Sequence, residues 1–528
     1  MAFILWYQPA NWWEIPKQVA NVNRTVAQFL PLSAASCSAR LNGLMLGAAR
    51  ETMDEYSKDL GLGVKSAAEV QSRETLSRRD FVPRAASALA GIVLLPRHVL
   101  GGRGYTAPSE KLNIAGVGVG GMGADYLKHL ESENIVALCD VDSEKAAGTF
   151  KRYPNAKTYR DFREMLDREK GVDAVVIGTP DHTHAVVAMA AFALRKHVYC
   201  AKPLTRSIYE ARKLMTAARE AKVATQMSVQ SCSSEGACAT EEWVRAGAVG
   251  EVREVHVWTD RPVWPQGLAR PEDTSLAPAS LDWDLWLGPA PERPYHPEYH
   301  PFRWRGWHDF GTGSLGDMGC HTFHVIWRAL QLVPPTRVQA YSNFTMLPAY
   351  GTDADAAWMY SKKAKFPETF PMASIVAWDF PARGKLPPVR VIWYDGGLRP
   401  PKPEAWLEGK EYPPDGILFY GKKGVLFSKF SGGPMMVERA KNKTFTPPPK
   451  TLPRTANHYQ EFVEAAKGGK PAACNFDFGG LLTEVVLLGT IAQRTGKLLE
   501  WDSASARFTN DDAANELVTP RFRPGWSV

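Results

Sequence analysis

Apolar and polar positions change their spacing three times along the chain. In "LNIAGVGVGGMGADYLKHL" a short apolar strand enters a glycine-rich turn, then a helical pattern with Met122, Tyr126, Leu127 and Leu130 on its apolar positions. "NIVALCDVD" reads as a second strand, and "VDAVVIGTPDHTHAVVAMAAFALRKHVYCAKPLT" continues the strand, turn, helix, strand rhythm. Such alternation predicts a parallel sheet with crossover helices over 108–232. From Ser233 the pattern shifts to a helix, "EGACATEEWVRAGAVG", a strand, "EVREVHVWTDRP", a Pro/Trp-rich passage to Trp307, and an apolar helix within "DFGTGSLGDMGCHTFHVIWRAL". Between Arg337 and Phe430 apolar strands such as "MASIVAWDF" and "PPVRVIWYDGG" alternate with turn residues, and two helices and a strand follow. Residues 233–528 therefore read as an α+β domain with a large, mostly antiparallel sheet.

Composition narrows the class. The 528 residues are 45% apolar and 23% charged, the balance of an ordinary globular chain long enough for two domains. Net charge is +7, but residues 1–106 hold 12 Lys/Arg against 8 Asp/Glu, so the remainder carries only +3 and no basic run, and nucleic acid is not an expected partner. Seven cysteines without CxxC spacing indicate neither a disulfide framework nor a zinc site, and no metal is expected.

Upstream, Ser77 to Leu95 reads "SRRDFVPRAASALAGIVLL". Its apolar core, Ala85 to Leu95, is far shorter than the about 20 residues needed to span a bilayer, so no stable membrane span is expected. An arginine pair, a short apolar core and small residues have the layout of a twin-arginine export signal over 77–107, implying a periplasmic or extracytoplasmic destination. Such a signal normally opens a chain, so residues 1–76 are expected to be a non-native extension from a misplaced start, or a leader.

The turn Gly118, Gly120, Gly121, Met122, Gly123 contains G-x-G-x-x-G between a strand and a helix, the setting in which this motif holds a pyrophosphate at a helix N-terminus. Asp140 closes the second strand 22 residues after Gly118, placed to accept from ribose hydroxyls and repel a 2′-phosphate. NAD is the expected cofactor, with NADP the alternative.

The ordered set "GVGVGGMG", "CDVD", "GTPDHTHA" and "KPLT" resembles the Gfo/Idh/MocA oxidoreductases, related to glucose–fructose oxidoreductase and inositol dehydrogenase, over residues 111 to about 502. The resemblance implies a Rossmann domain, Thr179 and Pro180 beside the nicotinamide, His184 nearby, and Lys202 as the catalytic lysine of an E-K-P motif whose glutamate is Ala201 here. It also matches "DMGCH" to a D-x-G-x-H motif, in which Asp317 and His321 lie four apart on one helix face. A neutral imidazole at His321 suits removal of a carbinol proton, Lys202 suits the oxygen on which charge grows, and Asp317 would orient the substrate or the imidazole. Gly313, Gly316 and Gly319 are expected to clear bulk around them.

"RPVWPQG" and "YHPFRWRGWHDFG" interleave cations and aromatics as a pyranose requires, making Arg261, Trp264, Arg305 and Trp307 candidate sugar contacts, with His324 a further one. The expected function is hydride transfer between a sugar or polyol carbinol and a nicotinamide. The alternatives are a redox-neutral glycoside hydrolase or lyase with tightly held NAD, and a non-catalytic sugar sensor. A homo-oligomer is expected.

Overall fold

The computed structural model describes residues 107, 110–344, 346–347, 362–363, 366–406, 410–430, 432–438, 444–455 and 457–528. The expected leader, and the export signal apart from Ala107, lie outside the described residues.

The first half alternates as the spacing predicts: β1 (Asn113–Val117), α1 (Met122–His129), β2 (Asn134–Cys139), α2 (Ser143–Arg152), β3 (Lys157–Tyr159), α3 (Phe162–Arg168), β4 (Ala174–Ile177), α4 (His184–Ala193), β5 (His197–Cys200), α5 (Ile208–Ala221) and β6 (Thr225–Met227). The strands form one parallel sheet in the order β3-β2-β1-β4-β5-β6, so chain direction across the sheet reverses beside β1, where such folds hold ligands. Polar residues stop and start these helices. Asp142 caps α2 through the Glu144 and Lys145 N–H groups, and Ser207 forms a reciprocal capping box with Glu210 at α5.

The second half contains α6 (Glu235–Arg245), β7 (Val252–Trp258), α7 (Trp283–Leu287), α8 (Gly313–Leu330), β8 (Arg337–Ser342), the short pair β9 (Met346–Leu347) and β10 (Lys362–Lys363), β11 (Ser374–Phe380), β12 (Val389–Tyr394), β13 (Gly416–Gly421), β14 (Gly424–Ser428) and β15 (Pro434–Met436). It closes with α9 (His458–Ala466), α10 (Phe476–Thr495), β16 (Leu498–Asp502), β17 (Arg507–Phe508) and α11 (Asp512–Asn515). Nine strands form a sheet ordered β15-β14-β13-β7-β12-β11-β8-β16-β17; β7 and β12 run parallel and the other neighbours antiparallel. In β11 burial alternates strictly, the signature of a strand with one face on the core.

The tail does not stay with the second half. Tyr459, Phe462 and Val463 of α9 pack with Ile114, Leu138 and Tyr199 of the nucleotide-type sheet. Helix α10 packs on both α5 and α8. It is long and apolar enough to cross a membrane, with a mean hydropathy of 1.2, yet Leu482, Val485, Val486 and Leu488 lie fully buried in the core. One apolar cluster thus runs from Val175 and Val198 through α10 to Trp378 and Trp393, and couples the two halves mechanically.

His182, His184 and His458 are among the histidines buried where water cannot solvate a charge. Burial pushes their pKa values down to about 3, about 4 and about 3. The folded chain keeps these rings neutral while the unfolded chain protonates them below about 6.5. Stability is therefore expected to fall as pH drops from about 6.5 towards 4. The carboxyls Asp140, Asp181, Glu210 and Asp395 are raised by burial, Asp181 to about 7 and Asp395 to about 6, and work in the opposite direction, but the histidines lowered by burial, which also include His197, His300, His308 and His321, outnumber them. Thermal unfolding should show a lower midpoint at pH 5 than at pH 7; an equal or higher midpoint would mean that the rings reach solvent.

Candidate active site

Three glycines let the β1 turn cross the end of β4. Gly118 has φ +75, and a Cβ there would lie 2.6 Å from the Thr179 backbone nitrogen; at Gly123 it would lie 2.0 Å from the Gly118 carbonyl oxygen. Gly178 meets Gly123 in the same way, 2.5 Å from its Cα. Gly120 is pressed on α2 at Lys145, whereas Gly121 opens onto free space, so Gly121 is the residue whose bare backbone a phosphate can approach. Met122, half exposed, begins α1, whose first-turn N–H groups have no partner within the helix.

Asp140 ends β2 as expected but is bound from below. Its Oδ2 accepts from the Val119 and Gly120 N–H groups at 2.7 and 2.9 Å, and Oδ1 accepts from Asp142 N–H at 2.9 Å. A carboxylate has about four acceptor sites; three hold the turn to the strand and one is left for a further donor. The buried Thr179 Oγ1 has no partner. A backbone cradle free of Cβ atoms, an unpartnered hydroxyl and a fixed carboxylate fit an adenine dinucleotide.

Lys202 follows β5 and reaches into the second half. Its backbone N–H donates to Ser228 Oγ at 3.0 Å, while Nζ donates to Asp317 Oδ1 at 2.6 Å and to the Asp317 carbonyl oxygen at 2.8 Å. Arg305 Nε lies 3.7 Å from the same Oδ1. Burial would raise the Asp317 pKa, but Lys202 and then Arg305 more than offset it and hold the carboxyl below its usual range. Asp317 therefore orients Lys202, where the one-face spacing pointed to the substrate or the imidazole: the nearest cation claims the carboxylate.

His321 lies one turn further along α8, partly buried beside Phe430, and its Nδ1 has no hydrogen-bond partner. Burial first, then the Lys202 ammonium, push its pKa down to about 3 against the pull of Asp317. The ring is a neutral base throughout the physiological range.

The glycines of α8 seat the helix and do not clear bulk around its polar residues. A Cβ on Gly316 would fall 2.1 Å from Thr312 Oγ1, one on Gly319 2.5 Å from Val486 on α10, and one on Gly313 2.6 Å from the Phe370 ring. The side chain of Thr312, the N-cap, makes no bond to its own helix; its hydroxyl donates to Asp181 Oδ2 at 2.7 Å, with both residues buried. This bond ties the loop of Thr179 and Pro180 to the start of the helix that bears Asp317 and His321. Asp181 stands inside the "GTPDHTHA" stretch, so the sequence displayed it, but only the fold shows what it meets.

Other candidates move away from the site. His184 is fully buried, with Nδ1 3.0 Å from the Pro203 carbonyl oxygen and Nε2 2.9 Å from that of Thr179, so it braces the cofactor loop from behind and does not face a ligand. His324 is also fully buried, its Nε2 2.9 Å from Ser231 Oγ, because it turns to the inner side of α8. Trp307 is buried in an aromatic cluster and donates to the Glu298 carbonyl oxygen, so it is not a sugar platform. Trp264, buried and bonded to Gln266, supports the Arg305 guanidinium from 5.8 Å, and Trp304 does so from 4.3 Å. Arg261 binds Gly396 N–H through its backbone, and among the described residues no ion pair joins it to Asp317. Of the four Arg and Trp candidates, Arg305 alone has charge at the site. Among the described residues no group of three or more His, Cys, Asp or Glu could hold a metal ion.

Residues 112–229 match the model of an oxidoreductase family with an NAD-binding Rossmann fold, and residues 260–335 and 403–528 match its C-terminal alpha/beta domain. An inositol 2-dehydrogenase of Salmonella typhimurium is 28% identical over 146 residues, 26% of this chain and 43% of that protein. One of Rubrobacter xylanophilus is 33% identical over 147 residues, 27% of this chain and 42% of that protein. The chain thus spans under half the length of these curated relatives. The WlbA dehydrogenase from Bordetella pertussis, solved with NADH and UDP-GlcNAcA, shares the fold at a TM-score of 0.50 and 15% identity over 74% of this chain and 99% of that one. With a dinucleotide cradle on one half, Lys202 bound to Asp317 on the other, and more than half of its length matched, the chain belongs to the Gfo/Idh/MocA oxidoreductase family and binds NAD.

Proposed function

We propose that the protein is an NAD-dependent dehydrogenase that oxidises a carbinol of a sugar or polyol to the carbonyl. The observation that carries the reading is the Lys202 ammonium, held by Asp317 on one helix face with the neutral His321. Bound NAD supplies the hydride acceptor. Lys202 has three protons on Nζ, two of them directed at Asp317, and the third is free to donate to the substrate oxygen. That bond strengthens as the oxygen gains charge and eases loss of the hydroxyl proton to His321. Arg305, braced by Trp264 and Trp304, is positioned to bind a second polar group of the substrate. The relatives named inositol 2-dehydrogenase support a polyol or a sugar of similar shape, and net oxidation over a closed redox-neutral cycle.

We also propose export by the twin-arginine route, which carries folded proteins and so lets NAD be bound before departure. The support is the segment Ser77 to Leu95. Changing Arg78 and Arg79 to Lys should leave the protein in the cytoplasmic fraction; unchanged export would reject the signal.

Purified protein with NAD should reduce the nicotinamide with at least one member of a polyol and sugar panel, read at 340 nm. Lys202→Ala and His321→Ala should each lower turnover by about 10²-fold or more with a smaller effect on substrate affinity. Asp317→Asn should cost less, since the amide still accepts from Lys202. Wild-type rates in the Lys202 and His321 variants would place the chemistry elsewhere.

The bond between Thr312 and Asp181 yields a separate expectation. Thr312→Val leaves Asp181 without its partner and should lower kcat more than it raises KM for NAD; Thr312→Ser, which keeps the hydroxyl, should restore kcat. Equal rates in the two variants would assign Thr312 a packing role alone.

A further inference from the structure

Beside the start of α8 lies a small polar cavity of about 30 Å³. Arg206, Ser207, His308, Thr312, Thr490 and Arg494 contribute to its wall, together with apolar residues that include Phe370 and Leu517. Arg206 belongs to the loop after β5, four residues past Lys202, and its side chain is 8% exposed. Nη1 donates to the Asp309 carbonyl oxygen at 2.6 Å, but Nε and Nη2 are buried without any partner. A buried cation with two unused donors is strongly unfavourable unless something accepts from it.

Two of the side chains that line the cavity are guanidinium groups, Arg206 and Arg494. Arg494, on the last turn of α10, stands at its edge, where burial and then, after the pull of Asp309, the Arg206 charge act on its pKa, burial being the larger cause and the net direction downward. Among the described residues no carboxylate lines the space. Asp309, 4.0 Å from Arg206 Nη1 at its closest, is paired with Arg293, and Glu210 uses Oε2 in the cap with Ser207 while its Oε1 is buried without a hydrogen-bond partner and its charge acts with that of Arg206. His308 directs Nδ1 to the Pro367 carbonyl oxygen, so its Nε2 is a donor to this space only when the ring is protonated.

We infer that this cavity is a binding site for a small monovalent inorganic anion of halide size, held by Arg206 Nε and Nη2 with Arg494 across from them. A volume of about 30 Å³ accommodates one such ion or about one to two waters, and it excludes a sugar or a nucleotide phosphate. The site is therefore separate from the dinucleotide cradle and from the substrate. Its position joins two working parts: Arg206 continues the loop of Lys202, and Thr312 begins the helix of Asp317 and His321. An anion there neutralises the repulsion between two guanidinium groups at the point where that loop meets that helix.

Bromide is the probe. Crystals of the full chain grown without halide and soaked in sodium bromide should show an anomalous peak between Arg206 and Arg494. In solution, sodium chloride should raise the unfolding midpoint by a few degrees with saturation, relative to sodium isethionate at equal ionic strength, whose anion is too large to enter. Arg206→Gln should abolish the difference between the salts; if that variant does not fold, Arg494→Gln should weaken it and shift saturation to higher chloride. No bromide peak, a density that refines as water in both crystals, or identical midpoints in the two salts would overturn the site.

Discussion

The ion pair between Lys202 and Asp317 is the constraint around which the molecule is arranged. Its partners lie 115 residues apart, one at the end of a parallel strand and one on a helix of the other half, yet they meet at 2.6 Å. Both side chains retain some exposure, 17% and 16%, so each keeps a face towards the site while the pair orients them. A pair in this setting loses hydration on both groups, and the attraction repays that only when the geometry is held from outside. Here it is held at both ends: Ser228 fixes the backbone of Lys202 and is itself 3.0 Å from Tyr126 Oη, while Thr312 fixes the helix of Asp317 through Asp181.

Packing does the rest by removing atoms. The β1 turn, the end of β4 and the start of α1 approach so closely that Gly118, Gly123 and Gly178 tolerate no Cβ, and the same is true where α8 meets Thr312 and α10. Interiors packed to this density transmit position, so the cofactor loop and the catalytic helix keep a common register. The return of α9 and α10 onto the first half closes the arrangement, because one apolar cluster then spans both sheets.

The alternating half was legible because its period is local: each strand, turn and helix announces itself within about twenty residues, and the glycines carry the turn. Lys202 was marked as a candidate by the family resemblance of "KPLT", and Asp317 and His321 by their spacing of four and the match of "DMGCH". What was not legible is long-range direction. Asp317 faces His321 in sequence spacing but Lys202 in space, since the contact is set by how β5 meets α8. The aromatic-rich passage misled for a related reason: Trp264 and Trp307 look like sugar platforms, but an indole buries a large apolar area, and both went into the core. His324, three residues from His321, turns inward on the same helix for want of a full turn.

On the proposed dehydrogenase reading, the commitment of Asp317 to Lys202 also sets how Lys202 and His321 would share the chemistry. Among the described residues no carboxylate is hydrogen-bonded to the His321 ring, whose Nδ1 is unpartnered, and the pull of the Asp317 charge does not offset burial and Lys202, so an imidazolium there has little to stabilise it in the resting site. His321 is accordingly a weak base, and a hydroxyl proton reaches it only when the substrate oxygen is already losing electron density to a strong donor. Lys202 is that donor, and Asp317 directs its Nζ. The order of dependence is therefore Asp317 on Lys202, Lys202 on the substrate oxygen, and only then the proton to His321.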